Sequence, residues 1–94
     1  MTHDIRHETD LNRFSTTVED HLCVLEYELG EKVMTITHTR VPEAVGGKGI
    51  AADLTRTALD NARANNFRVV PQCSYAAVYI KRHPEYAGLT VQTR

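Results

Sequence analysis

The hydrophobic period of this chain changes from two residues to four across residues 41–52, VPEAVGGKGIAA. Before this segment, residues 22–29 alternate between apolar and polar side chains, which is typical of a half-buried β-strand. After it, apolar residues recur every four positions, at Ile50, Leu54, Ala58 and Ala62. That spacing predicts an amphipathic helix of about four turns. Three glycines lie where the period changes, so the chain must pass from sheet to helix through a loop of small residues.

Three strands are predicted before this loop, over residues 14–18, 22–29 and 33–39. The apolar face of the second strand carries Cys23, Leu25, Tyr27 and Leu29. One face of the third strand carries Met34, Ile36 and His38, and three threonines occupy the other. Gly30 and Glu31 are predicted to form the tight turn between these two strands.

A second helix and one more strand are predicted after the loop. The first helix is expected to end at Asn65 or Asn66, and a short strand over 67–72 follows. Ser74 is predicted to cap a second helix over about 75–83, which the next proline ends. The order β-β-β-α-β-α predicts an α/β fold of the α+β kind, with helices packed on a mixed, mostly antiparallel sheet.

Length, charge and composition narrow the class of protein. The 94 residues predict one domain over 1–94, with residues 1–10 frayed or forming an edge strand. A net charge of −1 gives no general attraction to nucleic acid or to an anionic membrane. No apolar run reaches the ~20 residues of a membrane helix, and the polar N-terminus does not resemble a signal peptide. Neither cysteines nor histidines have metal-ligand spacing. We therefore expect a cytoplasmic protein without a metal site and without nucleic-acid or membrane partners.

A glycine-rich loop directly before a helix can bind phosphate, because the helix N-terminus presents unpaired N–H groups and a partial positive charge. Lys48 could add a further charge. The simpler alternative is a flexible turn that binds nothing. The loop is not of the Walker A type, because Gly49 rather than Ser or Thr follows Lys48. It also lacks the dinucleotide fingerprint, because its glycine spacing differs and it follows a hairpin strand.

The run Gly46-Gly47-Lys48-Gly49-Ile50-Ala51 resembles the coenzyme A diphosphate loop of the GNAT acetyltransferase superfamily, whose signature is Gln/Arg-x-x-Gly-x-Gly/Ala. Gly49 and Ala51 match its last two fixed positions, whereas Gly46 stands in place of Gln or Arg. A wider pattern is similar to a subgroup of very short, GNAT-like bacterial proteins with a small animal relative. That pattern is His38-Thr39-x-Val41-Pro42, then Pro71-x-Cys73-x-Tyr75-x-x-x-Tyr79, then His83-Pro84-x-Tyr86.

The resemblance implies a GNAT-like fold, acetyl-CoA or coenzyme A as the cofactor, and transfer of an acetyl group to an amine. The cofactor-binding residues that it implies are Thr39, Val41, Gly46, Gly47, Lys48, Gly49, Ile50, Ala51, Cys73 and Tyr75. Full GNAT domains carry N-terminal helices that wall the acceptor site, whereas strands begin here within about a dozen residues. An open acceptor face would suit a large or protein acceptor, a partner subunit, or a homodimer that completes the site.

Three residues are candidates for the chemistry, because the resemblance places the thioester between strands that end near Thr39 and Cys73. His38 is a candidate general base, or a half-buried histidine bonded to a backbone carbonyl. Cys73 lies before a helix whose dipole lowers its pKa, and is a candidate nucleophile, a reactive bystander or a packing residue. Tyr79 could protonate the leaving thiolate, or could pack in the core. It shares a helix face with Tyr75, Val78 and Arg82.

Three functions remain open from the sequence. The first is an acetyl-CoA-dependent N-acetyltransferase with an unknown amine acceptor. The second is a module that binds coenzyme A or acyl-CoA and transfers nothing. The third is a small interaction protein whose glycines only turn the chain. Cofactor binding separates the third function from the others, and turnover separates the first from the second.

Overall fold

A computed structural model describes residues 3–90 and shows one five-stranded sheet with two α-helices. The strands are β1 (Arg6–Glu8), β2 (Arg13–Val18), β3 (His21–Gly30), β4 (Val33–Arg40) and β5 (Arg68–Pro71). The helices are α1 (Ile50–Ala64) and α2 (Ser74–Arg82), and 3₁₀ turns cover Thr9–Leu11, Glu43–Val45 and Pro84–Leu89. The strands lie side by side in chain order, antiparallel except for the parallel pair β4 and β5. The predicted fold class is confirmed, and β1 lies at the edge of the sheet within residues 1–10, for which a frayed end or an edge strand was predicted.

Two-residue turns join β2 to β3 and β3 to β4. The turn residues are Glu19, Asp20, Glu31 and Lys32, and all four have positive φ values, between 50° and 67°. Such values are typical of the type I′ turn, whose twist matches that of the flanking strands. The prediction that Gly30 forms part of the second turn was wrong, because Gly30 still pairs with Val33 at the end of β3.

A β-bulge in β4 reverses the side-chain alternation near its end. Tyr27 pairs with Ile36, but the preceding residue Glu26 pairs with His38, so Thr37 is an extra residue. Ile36 is fully buried on the helix side of the sheet, whereas His38 is exposed on the opposite side. The prediction that His38 shares a face with Ile36 was therefore wrong. Thr39 instead faces the helices, because it pairs with the buried Leu25.

Buried residues of both helices and of one sheet face form a single hydrophobic cluster. From the sheet it includes Phe14, Cys23, Leu25, Tyr27, Met34, Ile36 and Val69, and from the helices Ile50, Leu54, Ala58, Leu59, Ala62, Ala76, Tyr79 and Ile80. Leu29 shares the face of Tyr27 as predicted, since it pairs with the buried Met34, but it lies next to the end of β3 and is 44% exposed. Among residues 3–90 no helix is long and apolar enough to cross a membrane.

The predicted C-terminus of α1 agrees with the structure, whereas the predicted N-cap of α2 does not. Asn65 is the C-cap of α1 and Asn66 has a left-handed φ of 61°, which confirms the predicted end. The N-cap of α2 is Cys73 and not Ser74 as predicted, because Cys73 keeps an extended backbone and Ser74 is already helical. This shift places a thiol directly at the N-terminus of α2.

Candidate functional site

The glycine loop adopts a backbone that two of its glycines make possible. Gly47 and Gly49 have φ values of 79° and 76°, a region that residues with a Cβ atom rarely occupy. A Cβ atom at either position would meet nothing within 4 Å, so the space in front of the loop is open. The loop therefore leaves room for a ligand to approach its backbone closely.

The N-terminus of α1 has unpaired N–H groups beside this open space. The first hydrogen bond of the helix runs from the Asp53 N–H to the Gly49 carbonyl, 3.1 Å away. The N–H groups of residues 50–52 therefore have no acceptor within the helix. Gly49 is the N-cap and has no side chain that could satisfy them. Ile50 is 1% exposed and anchors this end of the helix in the core.

Lys48 is the one cation of the loop, and it is held only weakly. Its Nζ lies 3.4 Å from Oε2 of Glu19 in the turn between β2 and β3. Both side chains are largely exposed, and ion pairs of this kind contribute at most about 1 kcal/mol to stability. Lys48 can therefore exchange this carboxylate for an anionic ligand at little cost.

A gap opens between β4 and β5 at the end of β4 that leads into the loop. Their pairing ends at Ile36 and Pro71, and β4 continues to Arg40 without this neighbour. Pro71 has no N–H to extend the ladder, and the Cys73 N–H makes the last link, to the Ile36 carbonyl at 2.9 Å. Where the gap opens, Cys73 Sγ lies 3.5 Å from Thr39 Oγ1. The edge of residues 37–40 that faces away from β3 therefore has no strand partner. It borders this gap, here called the slot, which a narrow, extended ligand could enter.

The two cysteines differ in acidity. Burial raises the pKa of Cys73, but hydrogen bonding with the Thr39 hydroxyl and with the backbone N–H groups of Ala76, Tyr75 and Thr39 outweighs it. The pKa of Cys73 therefore lies below its ordinary value. Burial alone acts on Cys23 and raises its pKa. Both thiols are free, but only Cys73 has the environment of a reactive one.

A groove of about 240 Å³ lies between α1 and α2. Its lining residues are Ala52, Arg56, Tyr75, Val78, Tyr79, Arg82 and His83. The Tyr79 ring stacks on His83 with centroids 4.0 Å apart, and burial raises the pKa of Tyr79. Tyr75 is 38% exposed and packs at an angle to Tyr79. Because Ala52 belongs to the first turn of α1, the groove begins next to the glycine loop.

The structure brings some of the predicted site residues together and keeps others apart. Cys73 and Thr39 are in contact, Gly46 to Ala51 form the loop and the start of α1, and Val41 packs against the core directly after β4. Tyr79 faces the groove with Tyr75, and no hydrogen bond within residues 3–90 joins it to Cys73. His38 lies on the opposite face of the sheet, beside Glu26.

Sequence reasoning missed a polar cluster at the first turn of α1. Asp53 is 7% exposed, and its Oδ2 accepts hydrogen bonds from the His3 N–H at 3.2 Å and from His3 Nδ1 at 2.6 Å. Its Oδ1 lies 2.9 Å from Nη2 of Arg56. Burial raises the pKa of Asp53, but the bonds from His3 and the charge of Arg56 outweigh it and hold that pKa below the ordinary value. The i,i+3 spacing of Asp53 and Arg56 could have indicated their ion pair. No pattern in the neighbouring sequence indicates that His3 binds Asp53.

A model of the "GCN5-related N-acetyl-transferase" family matches residues 13–89 of this chain. Protein NATD1 of Homo sapiens is 36% identical to it over 85 residues, which cover 85% of this chain and 75% of the relative. Protein NATD1 of Danio rerio is 31% identical over 87 residues, covering 87% and 79%. A GCN5-like protein of Staphylococcus aureus, solved by NMR, superposes with a TM-score of 0.75 at 22% identity, covering 97% of this chain and 90% of that one.

Proposed function

Because this chain belongs to the GCN5-related N-acetyltransferase family, we propose that it uses acetyl-CoA to acetylate an amine. One observation carries the proposal. The open glycine loop follows β4, the strand that borders the slot, and it leads into an α1 N-terminus that has no capping side chain. An anion-binding helix end next to a slot for a narrow chain matches a ligand that joins a diphosphate to a long thioester arm.

The loop and the start of α1 are proposed to hold the diphosphate of the cofactor. The free N–H groups of residues 50–52, with those of Gly47 and Gly49, supply donors, and the helix dipole favours negative charge. Lys48 adds a mobile cation. Charge-assisted hydrogen bonds contribute roughly 1.5–3 kcal/mol each, so three or four of them can supply affinity even though Gly46 has no side chain to contribute.

The slot between β4 and β5 is proposed to hold the thioester arm. Thr39 and Cys73 flank it, and the edge of residues 37–40 that does not pair with β3 offers hydrogen bonds to the amide groups of such an arm. The bulge at Thr37 turns the strand here, which sets the direction of the backbone groups next to the slot. The bound acetyl-CoA supplies the acetyl group that is transferred.

Proton transfer is assigned to residues on the two sides of the sheet. His38 is proposed to accept the proton of the amine, since it is exposed on the face opposite the helices, where an acceptor would approach. Tyr79 is proposed to return a proton to the leaving thiolate, because its raised pKa keeps it protonated at neutral pH. Cys73 is proposed to flank the reacting thioester.

Acetyl-CoA-dependent release of free thiol, measured with a panel of amines and lysine peptides, tests this function. Turnover with at least one acceptor is expected, and His38→Gln is expected to lower kcat by roughly 10²-fold while leaving acetyl-CoA binding unchanged. Lys32→Gln, an exposed change in the turn between β3 and β4, is the control. Tight binding of acetyl-CoA without turnover on any acceptor would contradict the transferase and leave a binding module.

A further inference from the structure

Strand β1 lies at one edge of the sheet, and within residues 3–90 it has a strand neighbour on one side only. It consists of Arg6, His7 and Glu8, and it pairs with β2 in the antiparallel direction. The backbone N–H and C=O groups on its other side therefore have no partner in the sheet. Such an edge can accept a further strand, and the side chains of β1 indicate which strand fits.

The two charged residues of β1 lie on the sheet face opposite the helices, here called the outer face. His7 pairs with the buried Phe14 and stacks on its ring with centroids 4.1 Å apart, so His7 lies on the helix side. Its neighbours Arg6 and Glu8 therefore lie together on the outer face. They carry opposite charges, whereas edges that exclude a second copy carry charges of one sign.

Only one oxygen of the Glu8 carboxylate is bonded within the described part of the chain. Oε1 accepts hydrogen bonds from Nε of Arg13 and from Oγ of Ser15, each at 2.7 Å. These bonds hold the pKa of Glu8 below its ordinary value, so the side chain is charged at neutral pH. Oε2 has no hydrogen-bond or ion-pair partner among residues 3–90, and it can accept a bond from a cation.

Arg6 is a cation of the same strand without a partner. It is exposed, and it forms no ion pair with any other residue of the range 3–90. Arg6 and Glu8 both line a polar cavity of about 280 Å³ on the outer face, to which Ser15 and Thr17 contribute hydroxyl groups. The edge therefore presents an available guanidinium and an available carboxylate oxygen beside a space that can hold a side chain.

A second copy of β1 provides a partner for both groups. When two β1 strands run antiparallel with His7 opposite His7 of the second copy, Arg6 of each copy lies directly opposite Glu8 of the other. Two pairs of opposite charge then form on the same face of the joined sheet, and such cross-strand pairs are stabilising. A twofold axis relates the two copies, so that the same patch serves both. A parallel copy in the same register would place Arg6 beside Arg6, and like charges disfavour that arrangement.

We propose that this protein forms a homodimer through β1, in which Arg6 of each copy binds Glu8 of the other and the two sheets join edge to edge. The twofold axis is perpendicular to the joined sheet, so the helices of both copies lie on one side and both outer faces lie on the other. A seam of three residues is short beside interfaces that bury about 800 Å² per partner, so the dimer exchanges with the monomer. The inference does not depend on acetyl-CoA and is independent of the proposed function.

Sedimentation velocity between about 10 μM and about 1 mM protein tests the inference, since a weak dimer forms within this range. The wild-type protein is expected to shift from monomer towards dimer as its concentration rises. Arg6→Glu is expected to raise the dissociation constant by about tenfold or more, because two attractive pairs become repulsive. Arg6→Lys keeps the charge and is expected to keep the dimer. Arg68→Glu is the matched control, because it reverses an exposed charge on the opposite edge strand β5 and is expected to leave the equilibrium unchanged.

A mixture of two variants tests the pairing itself. Glu8→Lys alone is expected to be monomeric, because it brings two positive charges together at each pair. An equimolar mixture of the Arg6→Glu and Glu8→Lys proteins is expected to form a heterodimer, because every pair then joins opposite charges. Thermal melting followed by circular dichroism checks the fold of each variant, since Glu8 also binds Arg13. If Glu8→Lys does not fold, the comparison of Arg6→Glu with Arg6→Lys and Arg68→Glu decides.

Three results would overturn the inference and leave the proposed function untouched. The first is a wild-type protein that stays monomeric up to about 1 mM. The second is a wild-type dimer that Arg6→Glu does not weaken, which would place the interface elsewhere. The third is a mixture of the two folded variants that stays monomeric.

Discussion

Two features of Gly49, its backbone conformation and the open space in front of it, make its substitution informative. Its φ of 76° disfavours any residue with a Cβ atom, and the space in front of it is open for a ligand. Under the proposed function a side chain here would also meet the diphosphate, and two substitutions of similar shape separate the effect of its charge from the effect of its bulk. Asn and Asp have nearly the same size and tolerate the left-handed region better than other residues.

Gly49→Asp is expected to abolish acetyl-CoA binding, by crowding the loop and by repelling the diphosphate. Gly49→Asn is expected to weaken binding by about tenfold or more and to retain a measurable affinity, because it adds bulk without charge. Titration calorimetry on both variants, with Gly88→Asp as a control at an exposed glycine outside the loop, makes the comparison. Unchanged affinity in the Gly49→Asp protein would exclude the loop as the diphosphate site.

Cys73 is expected to be alkylated by iodoacetamide much faster than Cys23 in the folded protein near pH 7. Hydrogen bonding lowers the pKa of Cys73, whereas Cys23 is fully buried and its pKa is raised. Thr39→Val is expected to raise the pKa of Cys73 and to slow its alkylation by at least about twofold. Thr37→Val, which removes the neighbouring hydroxyl on β4, is the control. Mass spectrometry of labelled peptides gives both rates. Faster labelling of Cys23 would contradict the prediction that Cys73 is the more reactive thiol.

At the scale of elements, Asp53 joins the N-terminal segment to α1. Asp53→Asn is expected to cost about 1–3 kcal/mol of unfolding free energy at neutral pH, because His3 and Arg56 lose a charged acceptor. The folded-state pKa of Asp53 is lowered, so its contribution is present above the unfolded value of 3.8 and is lost as pH falls through the folded value. The difference in unfolding free energy between the wild-type and Asp53→Asn proteins should therefore become smaller near pH 3.

Urea unfolding of the wild-type and Asp53→Asn proteins at neutral pH and near pH 3 measures this change. Asp10→Asn is the control, since Asp10 is exposed and makes no side-chain hydrogen bond within the described residues. A stability difference that stays constant between the two pH values would show that the carboxylate charge is not responsible.

The hairpin turn at Glu31 and Lys32 offers a prediction about stability alone. Both residues have positive φ, 51° and 64°, which costs residues other than glycine roughly 1 kcal/mol each. Lys32→Gly is therefore expected to stabilise the protein by several tenths of a kcal/mol up to about 1 kcal/mol. Asp20→Gly is the matched change in the other hairpin. Chemical denaturation measures both, and destabilisation in both variants would mean that side-chain contacts of the turns outweigh backbone strain.

The elements themselves could be predicted, because their signals are local. Alternation, turn residues and the four-residue period each depend on neighbours in the chain. The bulge at Thr37 could not be predicted, because Met34, Ile36 and His38 alternate regularly and only pairing with β3 makes Thr37 an extra residue. The assignment of His38 to the wrong face followed directly from this.

At the scale of the whole molecule, the candidate site is assembled from segments far apart in the chain. The glycine loop and one wall of the groove could be predicted, because the loop is continuous and Tyr75, Val78, Tyr79 and Arg82 repeat with helical spacing. The sequence did not predict the opposing wall of the groove, which contains Arg56. It also did not predict the contact between His3 and Asp53, which are fifty residues apart. Both depend on how α1 packs against α2 and the N-terminal segment, for which local patterns carry no information.

Titration calorimetry of the purified protein with acetyl-CoA tests the central claim most directly, with ATP and NAD as controls for general nucleotide binding. We predict a dissociation constant in the micromolar range for acetyl-CoA, about −8 kcal/mol, and no comparable binding of either control. Absence of heat at millimolar acetyl-CoA, in a protein shown by circular dichroism to be folded, would contradict the claim. The glycine loop would then be a turn between β4 and α1 and not a site.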